Sequence, residues 1–432
     1  MESRILIVGT VPYNKKSTSR AFDSYFHNWN KENLAQIFSN TKTPIKGHCS
    51  TLYQITDQRL FKRRFLRSVK TGLIYNYEDL PNEWSDNSLE IKNSFINKLY
   101  KFGSRKNSLV YLARKIIWKK KYWCTKELNE WLDKFNPQCV FLSFSDDFFI
   151  SEIAIYVAEK YNIPIISSIG DDYYFNYNFS FSLLYHFYKL MYRKLIRKVF
   201  DHRGSAIYIG NKIRDRYNSE FNINGVTIYL TSAIERRDFH FVNTISPKIS
   251  YFGNIRLGRN KSLNEIGNAL GFINKDYILD IYSNENDPKY YKLFKKNSNI
   301  IFHGSISYNE VKQKTVNSDV IIIVEGFKKK DVNITRYSLS TKVADALASG
   351  ANVFAYGSIE CGAIEYVQNI DAVQVCSNKN ELRKKLEELL FNTNLEQKYY
   401  NNAIEITNNY HNLEKSNLIF SKLVEETLNR EE

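Results

Sequence analysis

At 432 residues the chain is long enough for two or three domains of roughly 100 to 200 residues each, and 43% hydrophobic with 25% charged content excludes wholesale disorder. Its formal charge of +15 calls for an anionic partner. The five cysteines, Cys49, Cys124, Cys139, Cys361 and Cys376, are odd in number and never form Cys-x-x-Cys, which excludes a disulfide framework or zinc ribbon and leaves them as packing residues.

The chain runs from Met-Glu-Ser-Arg straight into Ile5-Leu-Ile-Val8, without the basic start and long apolar region of a secretory signal, so a cytoplasmic location is expected. No apolar run approaches the roughly 20 residues of a membrane-spanning helix. Ile5 to Val8 reads as a strand ending at Gly9, with helical character from Ser19 onward. A basic, Tyr-rich stretch read as helical follows, and Trp131 to Pro137 closes a helix. Cys139 to Ser143 is a buried strand, Ile150 to Tyr161 a helix, and Ile165 to Ile169 a strand ending at Gly170-Asp-Asp172. Ala206 to Ile209 and Thr227 to Leu230 continue the alternation, which predicts a parallel sheet covered on both faces.

Around Glu235 to Lys248 the hydrophobic rhythm lapses, and a second α/β series begins. Its strands are Ile249 to Phe252, Ile278 to Tyr282, Ile300 to Phe302, Val320 to Val324 and Asn352 to Tyr356. The reading is an α/β chain of two Rossmann-like, doubly wound domains, 1–240 and 249–410, with a last helix, 411–432, able to pack back on the first. Such domains bind ligands at the carboxyl ends of their strands, so the cleft they face across is the expected site.

The positive charge concentrates at Phe61 to Lys70, Arg114 to Lys121 and Lys189 to Arg203. These are either solvated helix faces or contacts with an anionic membrane surface or lipid phosphate. The second reading draws on Arg114-Lys-Ile-Ile-Trp-Lys-Lys-Lys-Tyr-Trp123, which mixes cations with interfacial aromatics. It implies peripheral attachment to the inner face of the cell membrane. Nucleic acid is not expected as a partner, because no recognisable binding module accompanies the charge.

The most informative segment is Ser338-Leu-Ser-Thr-Lys-Val-Ala-Asp-Ala-Leu-Ala-Ser-Gly350. Ser340 or Thr341 can cap a helix whose free amides attract a diphosphate. Lys342 adds a cation, Gly350 ends the helix, and Asp345, three residues on, suits ribose hydroxyls. An ordinary capped helix carrying a Lys342–Asp345 ion pair is the alternative. A second loop, Tyr251-Phe-Gly-Asn-Ile-Arg-Leu-Gly-Arg259, offers Gly253 for close approach to phosphate and Arg256 and Arg259 for its charge.

Together these segments resemble the donor domain of retaining glycosyltransferases of family 4, GT-B enzymes of bacterial surface polysaccharide synthesis. The resemblance implies a nucleotide-sugar donor, a glycan or lipid-linked acceptor, transfer with retention, and neither cofactor nor metal. It places Gly253, Asn254, Arg256, Arg259, Ser340, Thr341, Lys342 and Asp345 at the donor, with Ile301-Phe-His-Gly304 continuing the family's order. The loop from Gly9 to Thr18, with Gly9, Thr10 and Tyr13, falls on the acceptor side. Two departures stand out. Asp345 replaces the second Glu of the family's Glu-x7-Glu and Tyr337 the first, which leaves Glu325 as a substitute carboxylate near the sugar. Asp171 and Asp172 are candidates for orienting the acceptor hydroxyl, or for capping a helix. A non-catalytic glycan-assembly subunit and a GT-B nucleotide-sugar epimerase are the alternative functions.

Overall fold

The computed structural model describes residues 3–14, 20–66, 68–83, 108–176 and 180–429. Part of the Gly9 to Thr18 loop and of the first basic cluster lies outside these residues. The chain divides into two compact units: Met1–Tyr208 with Arg214–Ile228 and Asn417–Glu432, and Ile209–Ile213 with Tyr229–Ser416.

The first unit carries β1 (Ile5–Val8), β2 (Leu34–Phe38), β3 (Thr51–Ile55), β4 (Gly72–Asn76), β5 (Cys139–Ser143), β6 (Ile165–Ile169), β7 (Gly204–Tyr208) and β8 (Val226–Thr227). They form one sheet in the order β4-β3-β2-β1-β5-β6-β7-β8. All four residues of β1 are buried, as a central parallel strand covered on both faces requires. The stretch read as helical contains three strands instead. Buried Gln36 and Gln54 interrupt the apolar run of β2 and β3, and each is satisfied from a loop: Gln36 Nε2 donates to Val11 O at 3.1 Å and Gln54 Nε2 to Asn40 O at 2.7 Å. β4 pairs antiparallel with β3, so this sheet is mixed rather than purely parallel. Four helices matter below: α1 (Asp57–Phe65), α2 (Ser108–Ile117), α3 (Phe148–Tyr161) and α4 (Leu183–Phe200).

The second unit holds β9 (Ile249–Phe252), β10 (Leu279–Tyr282), β11 (Ile300–Gly304), β12 (Val320–Val324), β13 (Asn352–Tyr356) and β14 (Gln374–Cys376), all parallel, in the order β11-β10-β9-β12-β13-β14. That is the doubly wound order of nucleotide-binding sheets, starting at the centre and building outward on each side. Residues 229–248, expected to straddle the boundary, belong with this unit because their backbone and side chains bond into it. Arg236 Nη2 donates to Leu347 O at 2.8 Å, Arg237 Nη1 to Val316 O at 2.8 Å, and Val242 N to Glu396 Oε2 at 2.7 Å. Its site-bearing helices are α5 (Arg259–Ile273) and α6 (Thr341–Ser349).

The last helix, α7 (Leu413–Leu428), places Phe420, Leu423 and Val424 in the core of the first unit beside Tyr25, Phe26 and Phe141. Asn417 fixes it there, donating to Asp23 O and accepting from Asn28 N, each at 3.1 Å. No described helix is long and apolar enough to cross a membrane.

Candidate functional site

The second unit gathers its charged groups at the carboxyl end of β9. The Ser340 hydroxyl caps α6 by accepting from Lys342 N at 3.4 Å, and Gly350 ends the helix at φ +81°. Lys342 therefore sits in the first turn, among the amides that helix formation leaves unpaired. Its ammonium turns to the Tyr251 hydroxyl at 3.4 Å and lies 5.1 Å over that ring. Gly253, directly after β9, has φ +133°, and a Cβ there would overlap Lys342 Nζ. The glycine thus lets backbone and ammonium share one space. Enclosure, and then repulsion from Arg259, lowers the Lys342 pKa to about 7.

Arg259 opens α5 and forks onto Glu325, donating through Nε at 3.0 Å and Nη2 at 2.8 Å. Glu325 follows β12, is only 3% exposed, and its carbonyl accepts from Ser262 Oγ at 2.8 Å. Its carboxylate holds the Arg259 guanidinium in place. Arg256 makes a two-pronged ion pair with Glu285, and Asn254 Oδ1 shapes the loop by accepting from Arg256 N at 2.6 Å. Asp345 accepts from the Ser232 hydroxyl at 2.6 Å, while Lys342 turns to Tyr251. Thr341 is exposed at the helix start. Tyr251, Ser232 and Glu285 were missed as site residues; each enters through a pairing distant in the chain that no local motif signals. What the arrangement offers is a helix N-terminus, a glycine cradle and two cations from separate elements, suited to a diphosphate.

In the first unit, Gly9 follows β1 and donates to Ile37 O at 3.1 Å, and Thr10 O accepts from Ser39 N at 3.4 Å. Tyr13 packs edge-on against His48 at 4.8 Å; burial and then Asp23 raise its pKa. Asp172 is buried, with Oδ1 accepting from Tyr174 N at 3.1 Å, Phe175 N at 2.8 Å and the Tyr217 hydroxyl at 2.9 Å. It anchors its loop, and burial raises its pKa. Asp171 stands beside Tyr173, whose pKa burial and then the Asp171 charge raise. Among the described residues no group of three or more His, Cys, Asp or Glu is placed to hold a metal ion.

The basic aromatic stretch Arg114 to Trp123 is divided: its two indoles turn inward, while Ile116 and the three lysines after Trp118 face outward. Trp118 stacks on Phe149 at 3.6 Å, Trp123 Nε1 donates to Trp118 O at 3.0 Å, and both indoles are buried. Arg114 pairs with Asp147 and Asp57, and Lys115 with Glu152 at 2.6 Å. Lys119, Lys120 and Lys121 remain exposed. α4 splits its faces. Tyr188, Tyr192, Ile196 and Val199 are buried, whereas Phe181 just before it, Leu183 and Leu190 are 93%, 84% and 68% exposed.

No protein-family model and no curated protein matches the chain. Solved structures do match its fold. HepE of Anabaena in complex with UDP and glucose aligns over 98% of this chain and 100% of its own at 10% identity, with TM-score 0.57. WaaG, a glycosyltransferase involved in lipopolysaccharide biosynthesis, aligns over 96% and 99% at 10% identity, with TM-score 0.56. A variant of S. aureus TarM in complex with fondaparinux, α-GlcNAc-glycerol and UDP aligns over 100% of both chains at 12% identity, with TM-score 0.55. The fold is that of these two-domain GT-B glycosyltransferases, which the resemblance of the Tyr251 to Arg259 and Ser338 to Gly350 segments implies.

Proposed function

We propose that the chain is a glycosyltransferase that moves a sugar from a nucleotide-sugar donor to a glycan or lipid-linked acceptor, with retention, in bacterial surface polysaccharide biosynthesis. The observation that carries this reading is the convergence of Lys342, Arg259 and the first turn of α6 on the Gly253 turn. In the reaction, the bond from the sugar's anomeric carbon to the diphosphate breaks, the acceptor hydroxyl oxygen bonds to that carbon, and its proton departs with the nucleoside diphosphate. The chain's own residues stabilise the charge that develops on the leaving oxygen: Lys342, Arg259 and the helix amides are fixed before reaction, which is where electrostatic catalysis draws its strength. Glu325 holds the Arg259 fork in place, and in this reading Asp345 takes the ribose hydroxyls, as the resemblance implies.

UDP is the first nucleotide to test, since HepE and TarM are solved with it. Titration calorimetry with UDP, followed by chromatography of UDP-glucose incubated with the protein, should show binding and then release of UDP. Binding of no nucleoside diphosphate would overturn the reading. Turnover should persist in EDTA, because cationic side chains and helix amides stand where a metal would otherwise neutralise the diphosphate; activity lost to EDTA and restored by magnesium would overturn metal independence. The same reading places the protein in the cytoplasm, held peripherally to the inner membrane face by the exposed apolar side of α4 and the lysines beside it.

A further inference from the structure

Three cations stand around the turn after β9, and two of them form ion pairs: Arg256 with Glu285 and Arg259 with Glu325. Lys342 is held otherwise. Among the described residues, the hydrogen bond that its Nζ donates goes to the Tyr251 hydroxyl at 3.4 Å, a neutral group. The carboxylate whose charge reaches the ammonium, Glu325, is already forked onto Arg259.

Tyr251 is the third residue of β9, and its ring is buried in the core of the second unit with Ile249, Ile255 and Leu263. At the end of that ring the hydroxyl donates to Asn254 O at 2.6 Å, tying the turn back to the strand that leads into it. A phenol has one proton to give. With that proton committed to Asn254 O, the oxygen can only accept, and it accepts from Lys342. Burial raises the Tyr251 pKa, so the group stays a neutral phenol rather than a phenolate that would bind the ammonium as an ion pair. The same ammonium occupies the space that a Cβ on Gly253 would take. Strand, turn and the first turn of α6 therefore meet at Nζ.

The choice of a hydroxyl has a chemical consequence. A lysine with no partner spreads over many rotamers, and a ligand must order it on arrival. A carboxylate partner would order it beforehand but would spend its charge, and an incoming diphosphate would have to displace that carboxylate. The Tyr251 hydroxyl orders the side chain and leaves the charge to the ligand, which is what preorganised electrostatic stabilisation requires. We propose that Tyr251 is a positioning residue for the donor: its hydroxyl, oriented by Asn254 O, holds the Lys342 ammonium at the Gly253 turn, where the diphosphate binds. What the ammonium meets there rests on the glycosyltransferase reading; the hold of Tyr251 on Lys342 does not.

Tyr251→Phe tests this, because it keeps the ring in the core and removes only the hydroxyl. Calorimetry on the full chain at pH 7 should show UDP binding weakened roughly fivefold, the scale of one ordinary hydrogen bond. Adding Tyr251→Phe to Lys342→Met should weaken UDP no further, since the hydroxyl acts through the ammonium. A loss of equal size in both backgrounds would overturn the proposal and leave Tyr251 as a shaper of the turn alone. A second readout needs no nucleotide. The hydroxyl's lone pair favours the charged amine, so without it the Lys342 ε-carbon signal, followed by NMR in lysine-labelled protein and assigned by its loss in Lys342→Met, should titrate about half a pH unit lower or more. An unchanged titration would also overturn the proposal. Where Tyr251→Phe does not fold, the wild-type protein decides: a nuclear Overhauser effect between the Lys342 ε-protons and the Tyr251 ring is expected, and its absence would sink the contact. A shifted titration in a protein that binds no nucleoside diphosphate would keep the hold of Tyr251 on Lys342 and remove the donor reading instead.

Discussion

Lys342 is the residue on which the donor chemistry turns, and its environment makes a prediction about pH. With its pKa lowered to about 7, the enclosed amine is largely neutral in the empty protein at pH 8 and above. A diphosphate against Nζ favours the charged form and moves the pKa back toward the ordinary value of roughly 10.4. Binding above pH 7 therefore takes up a proton, while the ligand's own last phosphate ionisation, near pH 6, is already complete. UDP affinity should fall about tenfold per pH unit above neutrality. Calorimetry at pH 8.5 in buffers of different ionisation enthalpy should report uptake approaching one proton, abolished in Lys342→Met. Affinity flat from pH 7 to 9 would remove Lys342 from the phosphate site. At pH 7, Lys342→Ala should weaken UDP by about 1.5 to 3 kcal/mol, the scale of a lost charge-assisted contact. For folding the sign is opposite to that of an ordinary lysine salt bridge. Because the unfolded chain holds this proton up to its normal pKa, stability from this group rises with pH through the window above 7.

At the scale of elements, what could be read from the chain was what depends on neighbours in sequence. The capped helix α6 was legible because Ser340, Lys342 and Gly350 act within two or three turns, and β1, β5, β6, β9, β12 and β13 because buried parallel strands are plain apolar runs. β2 and β3 were not, since Gln36 and Gln54 sit inside them and are satisfied by loops that only the fold brings near, and β4, an edge strand with no buried residue, lacks the apolar run altogether. For the same reason the Glu325 pairing was hidden: its Arg259 partner lies 66 residues away. The β9 turn shows how tightly element and site are joined. Gly253→Ala would add both a strained backbone, of order 1 to 3 kcal/mol, and an overlap with the Lys342 ammonium. It should lower UDP affinity about as much as Lys342→Ala does, and the double variant should be little worse than either alone, as expected of two changes to one contact. Full additivity in a calorimetric cycle would show that the glycine and the lysine serve separate ends.

For the molecule as a whole, the charge of +15 must be weighed against how much of it is already matched. Arg114, Lys115, Arg197, Lys198, Arg256 and Arg259 all have carboxylate partners, so the basic clusters are less available than composition suggests. What remains on one part of the first unit is specific. The outer side of α4 and the residues leading into it expose Phe181, Leu183, Phe187 and Leu190, and a groove bordered by Ile116, Lys119, Lys120, Leu184 and Phe187 runs beside them. Apolar side chains at this exposure are costly in water and suit the boundary of a bilayer, with lysines at the level of anionic headgroups worth about 1 kcal/mol each. The protein should float with vesicles containing phosphatidylglycerol and not with purely neutral ones, and binding should weaken with salt. Two variants separate the contributions. Lys119, Lys120 and Lys121 changed together to Glu should abolish the preference for anionic vesicles, and Leu183→Asp with Leu190→Asp should abolish flotation altogether, both without altering UDP affinity. Equal recovery with neutral and anionic vesicles, or no effect of either set of changes, would mean that α4 meets a different partner and that the lysines are a solvated face.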